Sequence, residues 1–178
     1  MNISITIIGF NEENHLRELL PQLKWADEIV YVDCESEDAS KIVAKENGCR
    51  VYSQPNSLNL NINKSYAIDK AKCDWIFYLD PDERITPSLE KELKNIHKDP
   101  VNSAFRLNRK NYCFGVWLKY GSQYPDEQIR FFRRKFAHFP NKHVHEKLII
   151  RGNIGALSND LLHYPYINIS QFLKKFDF

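Results

Sequence analysis

The sequence predicts an α/β fold in which a parallel, doubly wound sheet occupies the first half of a single domain. In residues 1–95, short apolar runs rich in β-branched residues alternate with helix-forming stretches, which is the pattern of repeated strand–helix units. Residues 96–178 contain further strand-like runs, but turns and aromatic residues separate them. A chain of 178 residues fits one domain, so residues 1–95 and 96–178 are treated as its two halves.

Four apolar runs in the first half predict buried strands, at residues 3–8, 28–33, 50–52 and 74–79. Because β-branched residues dominate the first two runs, parallel pairing with helical crossovers is the expected arrangement.

Helices are expected between these strands. The first follows Asn11 and places four leucines on one face, Leu16, Leu19, Leu20 and Leu23. The second covers residues 36–47 and ends at Gly48 in the C′ position, and the third covers residues 60–71. A fourth begins at Thr86, which suits an N-cap because a proline occupies the first helical position after it.

The second half has a different pattern. Strands are expected at residues 104–112, 129–132 and 147–150, and residues 169–178 are typical of the start of a helix. No internal repeat or low-complexity linker divides the chain.

Several classes of protein are excluded by composition. No uncharged stretch is long enough to span a bilayer and no basic segment precedes an apolar core, so a cytoplasmic location is expected. Six glycines supply neither GxGxxG nor GxxxxGK[ST], the two commonest phosphate-binding loops. The four cysteines form no CxxC pair and are expected as free thiols: Cys34, Cys49, Cys73 and Cys113.

The net charge of +2 conceals an asymmetry between the halves. Residues 1–95 carry 11 Lys and Arg against 17 Asp and Glu, whereas residues 96–178 carry 14 against 6. Opposite charge suggests that the two halves meet different partners, and uneven surface decoration is the alternative.

Three polar residues follow the ends of predicted strands, namely Asn11, Asp33 and Asp80. Ligands of doubly wound sheets bind outside the carboxyl ends of the strands. We therefore expect these three side chains to converge on one crevice.

The triplet Asp80-Pro81-Asp82 is the strongest chemical signal in the chain. Two carboxylates one residue apart can bind a hard divalent cation such as Mg²⁺ or Mn²⁺, which in turn binds substrate phosphates. The alternative is an acidic turn, because Asp and Pro both favour turns. Its position directly after a predicted strand favours the metal.

The chain resembles the family 2 glycosyltransferases, and within them the subgroup of lipopolysaccharide core β-1,4-glucosyltransferases. The resemblance rests on an ordered series of motifs over nearly the whole chain: IIGFNEE at 7–13, IVYVD at 29–33, DWIFYLDPDE at 74–83, FGVW at 114–117, YPD at 124–126, RFFRR at 130–134, VHE at 144–146 and HY at 163–164. It implies a GT-A fold, which is a Rossmann-like three-layer sandwich with a mixed central sheet. Residues 1–95 would bind the nucleotide-sugar and residues 96–178 the acceptor.

The resemblance also implies roles in donor binding. Phe10, Asn11 and Glu13 would border the nucleotide, and Asp33 would read its base. Lys64 stands where an Arg is more usual, and Ile8 stands where Thr or Ser is common, so the expected base, uracil, stays open.

The acidic triplet takes its roles from the same resemblance. Asp80 would approach the ribose or the donor sugar, and Asp82 would hold Mg²⁺ or Mn²⁺ on the diphosphate. Both carboxylates are therefore candidate metal ligands.

An inverting transfer needs a carboxylate that takes the proton of the acceptor hydroxyl. Asp126, in the motif Tyr124-Pro125-Asp126, is the candidate for this base, with Glu127 second. The alternative is that Asp126 only pairs with Arg130 four residues later.

His143 and His145 lie on one side of a predicted strand, at a spacing suitable for a metal. His145 could complete the metal shell, or it could hydrogen-bond the acceptor or a core partner.

A basic, aromatic segment follows between Arg130 and Lys147. Without an accompanying RNA or DNA motif, nucleic acid is not expected as a partner. The segment instead favours an anionic lipid-linked acceptor or peripheral contact with the negatively charged inner leaflet. Its members are Arg130, Arg133, Arg134, Lys135, Lys142 and Lys147, with Phe131, Phe132, Phe136 and Phe139.

The sequence therefore predicts an inverting, metal-dependent glycosyltransferase that moves glucose or another hexose from a UDP-sugar to a glycan or lipid-linked acceptor such as lipopolysaccharide core. One alternative is a truncated or degenerate relative that binds donor without turnover, because the chain ends soon after His163-Tyr164. A sugar nucleotidyltransferase is disfavoured, because its glycine-rich N-terminal loop is missing.

Overall fold

The computed structural model describes residues 3–96, 101–140, 147–166 and 169–174. Helices pack on both faces of a mixed sheet, as predicted from the sequence. The strands are β1 (Ile3–Gly9), β2 (Glu28–Asp33), β3 (Arg50–Ser53), β4 (Trp75–Tyr78), β5 (Glu83–Ile85), β6 (Asn102–Cys113), β7 (Val116–Trp117), β8 (Asp126–Arg133), β9 (Ala137–His138), β10 (Ile149–Ile150), β11 (Asn153–Ala156) and β12 (Leu161–Tyr166). The helices are α1 (Glu13–Leu19), α2 (Ser40–Glu46), α3 (Leu60–Lys70), α4 (Pro87–Ile96) and α5 (Ile169–Lys174).

The main sheet has the strand order β3-β2-β1-β4-β8-β6-β12-β5, and β7 and β11 also pair with β6. Strands β1 to β4 run parallel, as their β-branched composition predicts. Strand β8 pairs antiparallel with both β4 and β6, which joins the two halves of the chain in one sheet. The fold is thus the predicted α/β sandwich with a mixed central sheet.

A short connection forces the sheet to curl. Only residues 79–82 separate β4 from β5, yet β5 lies four positions away from β4 in the strand order. Four strand spacings in a flat sheet amount to about 19 Å. Five residue steps reach at most about 18 Å when fully extended. The connection is far from extended, because the Glu83 amide donates to the Asp80 carbonyl at 3.0 Å. Strands β8, β6 and β12 must therefore bend around the acidic turn.

Each face of the sheet has its own core. The predicted leucine face is confirmed, because Leu16, Leu19, Leu20 and Leu23 are all fully buried against β1 and β4. The last two belong to a 3₁₀ turn that begins beside Pro21. On the other face, Ala67 of α3 packs against buried residues of the same strands whose side chains point to that face.

The aromatic residues of the second half supply the seam between the halves. The Phe131 ring stacks on Trp75 with the ring centres 4.6 Å apart, and it contacts Phe105 and Phe77 at 6.1 and 6.2 Å. Phe131 is fully buried, so these contacts are made away from water.

Several boundaries differ from those predicted. Helix α2 begins at Ser40 rather than at residue 36, because the amides of residues 37–39 are held by side chains of the β1–α1 segment. Of the strand predicted at residues 147–150, only Ile149–Ile150 forms a strand in the structure. Strands β5, β11 and β12 were not predicted, since charges, Gly and Pro interrupt their apolar pattern.

Other local predictions are confirmed. The Leu89 amide donates to the Thr86 hydroxyl at 3.1 Å, which is the expected N-cap of α4. Gly48 follows α2 with a φ of +79°, the left-handed conformation that glycine adopts at low cost. All four cysteines are free thiols. None of the helices in the described ranges combines the length and the apolar character needed to cross a bilayer.

The aromatic contacts of the seam predict how much stability is lost when one ring is removed. Replacing Phe131→Ala removes a fully buried ring from a close-packed aromatic group and should lower the free energy of unfolding by about 3–5 kcal/mol. Urea denaturation measures this value. The control Ile42→Ala, on the exposed side of α2, should change it by less than about 0.5 kcal/mol. A similar small loss for both variants would show that the seam does not join the halves.

Candidate functional site

A crevice lies at the carboxyl ends of the parallel strands, as the sequence predicts. Gly9 at the end of β1 is in register with Asp33 at the end of β2, and β4 leads directly into the acidic turn beside them. The crevice holds a cavity of about 350 Å³. Its described lining residues are Ile8, Gly9, Phe10, Glu12, Cys34, Asn56, Leu60, Lys64, Asp80, Pro81, Asp82 and His163. Residues from both halves thus meet there.

A second cavity of about 590 Å³ adjoins the first, and the two share Leu60 and Lys64. It lies between α3, β8 and the segment around Phe139. Its described lining residues are Leu58, Asn59, Leu60, Asn61, Lys64, Tyr78, Arg106, Glu127, Gln128, Ile129, Arg130, Phe139, Lys147, Leu148 and Ile154. The two cavities therefore lie side by side, with Leu60 and Lys64 between them.

The predicted nucleotide residues of the β1–α1 segment have two different placements. Phe10 lines the smaller cavity and is 44% exposed. Asn11 and Glu13 instead brace the segment that follows β2. The Asn11 side chain accepts the Glu37 amide at 2.8 Å, and a Glu13 oxygen accepts the Ala39 amide at 3.2 Å. Asn11 also has a φ of +55°, so its backbone makes the sharp turn that exposes Phe10.

Asp33 is fully buried beneath the crevice. Its Oδ2 accepts the Ser36 amide at 3.2 Å and lies 3.2 Å from the Lys41 ammonium. Its Oδ1 is buried and has no hydrogen-bond partner among the described residues. A buried carboxylate oxygen without a donor is costly, so it is suited to a ligand that brings an N–H group.

Lys64 of α3 lies between the two cavities. Its ammonium is 4.9 Å from the centre of the Tyr78 ring and 5.6 Å from that of Phe139. Burial lowers the pKa of Lys64, and the negative charge of Asp80 opposes this effect. A partly desolvated cation at the junction of two cavities is well placed for an anionic group.

Asp80 is held from two sides. Its Oδ1 accepts the Tyr78 hydroxyl, and its Oδ2 accepts Arg130 Nη2 at 2.7 Å. Burial raises the pKa of this carboxyl, but the charges of Arg130 and Lys64 outweigh burial and lower it to about 2. Asp80 is therefore ionised and fixed in position.

Asp82 faces a residue that the sequence analysis did not place in the site. His163 Nε2, on β12, lies 3.4 Å from Asp82 Oδ2. The other ring nitrogen of His163 is 2.7 Å from Asn111 Oδ1, which fixes the orientation of the ring. The sequence signal was the HY motif at residues 163–164, but pairing with Asp82 depends on the curl of the sheet.

Asp82 and His163 fit a divalent cation whose remaining ligands would be substrate phosphates and water. Asp82 and His163 offer one carboxylate oxygen and one imidazole nitrogen at the same cavity, and Mg²⁺ commonly uses one or two carboxylates together with phosphates and water. Asp80 is less suited to this role, because Tyr78 and Arg130 engage its oxygens. No group of three or more His, Cys, Asp or Glu residues suited to a metal occurs within the described ranges. His143 and His145 lie outside those ranges.

Asp126 lies at the start of β8, where three side chains donate to its carboxylate. These are Arg109 Nε at 2.8 Å, Gln128 Nε2 at 2.7 Å and Asn111 Nδ2 at 3.2 Å. Burial raises its pKa, but these donors outweigh burial and lower it. The alternative pairing of Asp126 with Arg130 is wrong, because Arg130 turns to the acidic turn instead. Asp126 is thus an ionised carboxylate beside Glu127 and Gln128, which line the larger cavity.

The basic segment is only partly a surface feature. Arg130 is 6% exposed, so its side chain is not available to contact a membrane surface. Phe131, Phe132 and Phe139 belong to the core rather than to a basic patch. Arg134, Lys135 and Lys147 are exposed, whereas Lys142 lies outside the described residues.

Comparison with known proteins identifies relatives of the whole chain. The model of the family described as Glycosyl transferase family 2 matches residues 4–155. An uncharacterized glycosyltransferase of Rickettsia typhi is 27% identical over 99% of this chain and 64% of its own length. A lipopolysaccharide core biosynthesis glycosyltransferase, LpsC of Rhizobium meliloti, is 27% identical over 97% of this chain and 67% of its own. The chain therefore spans about two thirds of the length of these relatives.

Solved structures share the fold. Residues 1–349 of S. aureus TarS in complex with UDP-GlcNAc superpose with a TM-score of 0.67 at 18% identity, covering 92% of this chain and 58% of that one. Glucosyl-3-phosphoglycerate synthase from Mycobacterium tuberculosis, in complex with Mn²⁺, UDP and phosphoglyceric acid, has a TM-score of 0.53 at 15% identity. It covers 76% of this chain and 56% of that one. The predicted GT-A fold is confirmed.

The ion pair of Asp80 predicts a pH dependence. The pKa of Asp80 lies at about 2 in the folded state, below its ordinary value of 3.8, so its contribution to stability is complete above about pH 5 and is lost as the pH falls from there through 2. Urea unfolding at pH 5, 4, 3 and 2 should therefore show a steeper loss for the wild type than for Asp80→Asn. Parallel curves would show that Arg130 does not hold Asp80 as an ion.

Proposed function

Because the chain belongs to glycosyl transferase family 2, we propose that it is an inverting, metal-dependent hexosyltransferase that takes a sugar from a UDP-sugar donor. The observation that carries this proposal is the crevice at the carboxyl ends of the strands. Lys64, Asp82 and His163 face one cavity there, and a larger cavity opens beside it.

The smaller cavity is proposed to bind the donor. Phe10 offers an exposed ring for stacking on a base. The buried Oδ1 of Asp33, which has no donor among the described residues, would accept an imide N–H such as that of uracil. Lys64 and Asp80 both line this cavity, and they are proposed to bind the diphosphate and the ribose or donor sugar respectively. Asn11 and Glu13 support the site by holding the adjoining segment.

Asp82 and His163 are the proposed protein ligands of Mg²⁺ or Mn²⁺, with Asp80 as the other candidate carboxylate. The cation would neutralise the charge that develops on the leaving diphosphate. The structure of a neighbour, the M. tuberculosis synthase with Mn²⁺ and UDP, supports the use of a divalent cation.

Asp126 is the proposed general base, and Glu127 is second. The acceptor hydroxyl oxygen attacks the anomeric carbon, the bond from that carbon to the diphosphate breaks, and the hydroxyl proton passes to Asp126. A single displacement of this kind inverts the anomeric configuration. The donors around Asp126 keep it ionised and oriented, as a base must be before the reaction.

The larger cavity is proposed to bind a glycan or lipid-linked, anionic acceptor. Apolar residues such as Leu148 and Ile154 line it together with the cations Arg106 and Lys147. The name of LpsC, a lipopolysaccharide core biosynthesis enzyme, supports an acceptor of that class. Exposed Arg134 and Lys135 would favour peripheral contact with the cytoplasmic face of an anionic membrane.

The metal assignment predicts the effect of one substitution. Asp82→Asn should weaken UDP binding in the presence of Mn²⁺ by about 10-fold to 100-fold, because a charge-assisted ligand bond is lost. It should leave the weaker metal-free binding unchanged. Isothermal titration with UDP, with and without Mn²⁺, measures both, and Asp69→Asn on the exposed side of α3 serves as the control. Undiminished Mn²⁺-dependent affinity in Asp82→Asn would contradict the assignment.

The base assignment predicts a loss of rate without a loss of donor affinity. Asp126→Asn should lower the turnover of UDP-sugars by about 10²–10⁴-fold, the usual contribution of a general base. Its UDP affinity should match that of the wild type. Asp160→Asn, which alters a carboxylate paired with Lys110 outside the site, controls for the loss of one charge in this half. Full activity of Asp126→Asn would transfer the role to Glu127, and an inactive wild type that binds UDP would indicate a donor-binding protein without turnover.

A further inference from the structure

A buried carboxylate to which the sequence analysis gave no role lies between the donor side and the acceptor side of the crevice. Glu83, the first residue of β5, is fully buried. Its Oε1 accepts Arg130 Nη2 at 2.6 Å and lies 3.3 Å from Arg109 Nη1. Its Oε2 accepts the Asp80 amide at 2.9 Å. One carboxylate therefore contacts two arginines and the backbone of the acidic turn.

The two arginines lead in opposite directions from Glu83. Arg130 donates to the Asp80 carboxylate at 2.7 Å, on the side of the smaller cavity. Arg109 donates through Nε to the Asp126 carboxylate at 2.8 Å, on the acceptor side. The carboxylates of Asp80 and Asp126 are thus connected through a single shared anion.

The far ends of this chain of contacts also meet. Asn111 donates through Nδ2 to Asp126 and accepts through Oδ1 from His163 Nδ1, and His163 faces Asp82. His163 is in register with Glu83 in the ladder of β5 and β12. The contacts therefore form a closed ring that begins and ends on the acidic turn.

The chemistry of arginine makes this ring stiff. A guanidinium group presents several N–H donors in a rigid plane, so fixing one edge on Glu83 fixes the direction of the others. Because both arginines contact the same oxygen, Glu83 sets their positions relative to each other. Removing its charge would leave two cations close together and weaken the hold of Arg109 on Asp126, whereas Asp80 would still be held by the Tyr78 hydroxyl.

We propose that Glu83 is a positioning residue that holds the general base Asp126 in a fixed orientation relative to the donor-binding turn. The proposal rests on the proposed function, because it assigns Glu83 an effect on transfer through Asp126. Loss of Glu83 should therefore lower kcat while donor affinity changes little.

Kinetics of a double-mutant cycle test the proposal directly. UDP-sugar turnover is measured for the wild type, Glu83→Gln, Asp126→Asn and the double variant. Glu83→Gln should lower kcat by about 10-fold to 100-fold, the scale of a misplaced reacting group, with UDP affinity within about threefold of the wild type. In the Asp126→Asn background, the same change should lower kcat by less than about twofold. Independent, multiplicative losses would overturn the proposal.

If Glu83→Gln does not fold, a second variant and its control test the same proposal. Arg109→Lys keeps the positive charge but loses the planar guanidinium group that reaches both Glu83 and Asp126. It should therefore lower kcat by the same factor as is expected for Glu83→Gln. In the Asp126→Asn background, it should lower kcat no further. Glu90→Gln, which alters a carboxylate paired with Lys94 on α4, is the control and should leave kcat unchanged.

A stability cycle separates this proposal from the proposed function. Arg109→Gln and Arg130→Gln each deprive Glu83 of a counter-charge, so their effects on the melting temperature should be strongly non-additive. Additive effects would overturn the ring, even in an active enzyme. If the effects are non-additive but the wild-type protein turns over no UDP-sugar, the proposed function is wrong, and with it the role of Glu83 in transfer.

Discussion

The short connection between β4 and β5 is the constraint on which the arrangement of the crevice depends. Residues 79–82 must join strands that lie four positions apart in the sheet, and only a curled sheet brings the ends of these strands together. The curl places Arg130 of β8, Arg109 of β6 and His163 of β12 around one acidic turn. Residues distant in the sequence thereby become neighbours of Asp80 and Asp82.

The buried ions inside this curl compensate one another. A fully buried carboxylate is unfavourable by itself, and burial raises the pKa of Glu83 while Arg130 opposes that effect. Breaking a buried pair of this kind typically costs about 3–5 kcal/mol, because one charge is left without a partner. The polar ring is thus a structural element as well as a feature of the site, and Glu83, Arg109 and Arg130 each contact more than one of its members.

Local patterns in the sequence were sufficient for the parallel half of the fold. The β-branched runs of β1 and β2 and the leucine face of α1 predicted the core, because each of these signals depends only on neighbouring residues. By the same reasoning, Asn11, Asp33 and Asp80 were expected to converge on one crevice. Of these three, Asp80 lines the smaller cavity, whereas Asn11 braces the segment after β2 and Asp33 is fully buried. His163 and Glu83 could not be placed in this way, because their roles depend on pairing between β5 and β12, which no local pattern encodes. Arg130 was interpreted as a surface cation for the same reason, although it is buried.

The crevice at the carboxyl ends of the strands is proposed to bind a nucleotide diphosphate through a divalent cation. A crystal structure of the chain with UDP and Mn²⁺, with the metal located by its anomalous scattering, tests this claim most directly. We expect Mn²⁺ within bonding distance of Asp82 and His163, and the diphosphate between that metal and Lys64. Nucleotide bound outside the crevice, or Mn²⁺ bound away from Asp82, would contradict it.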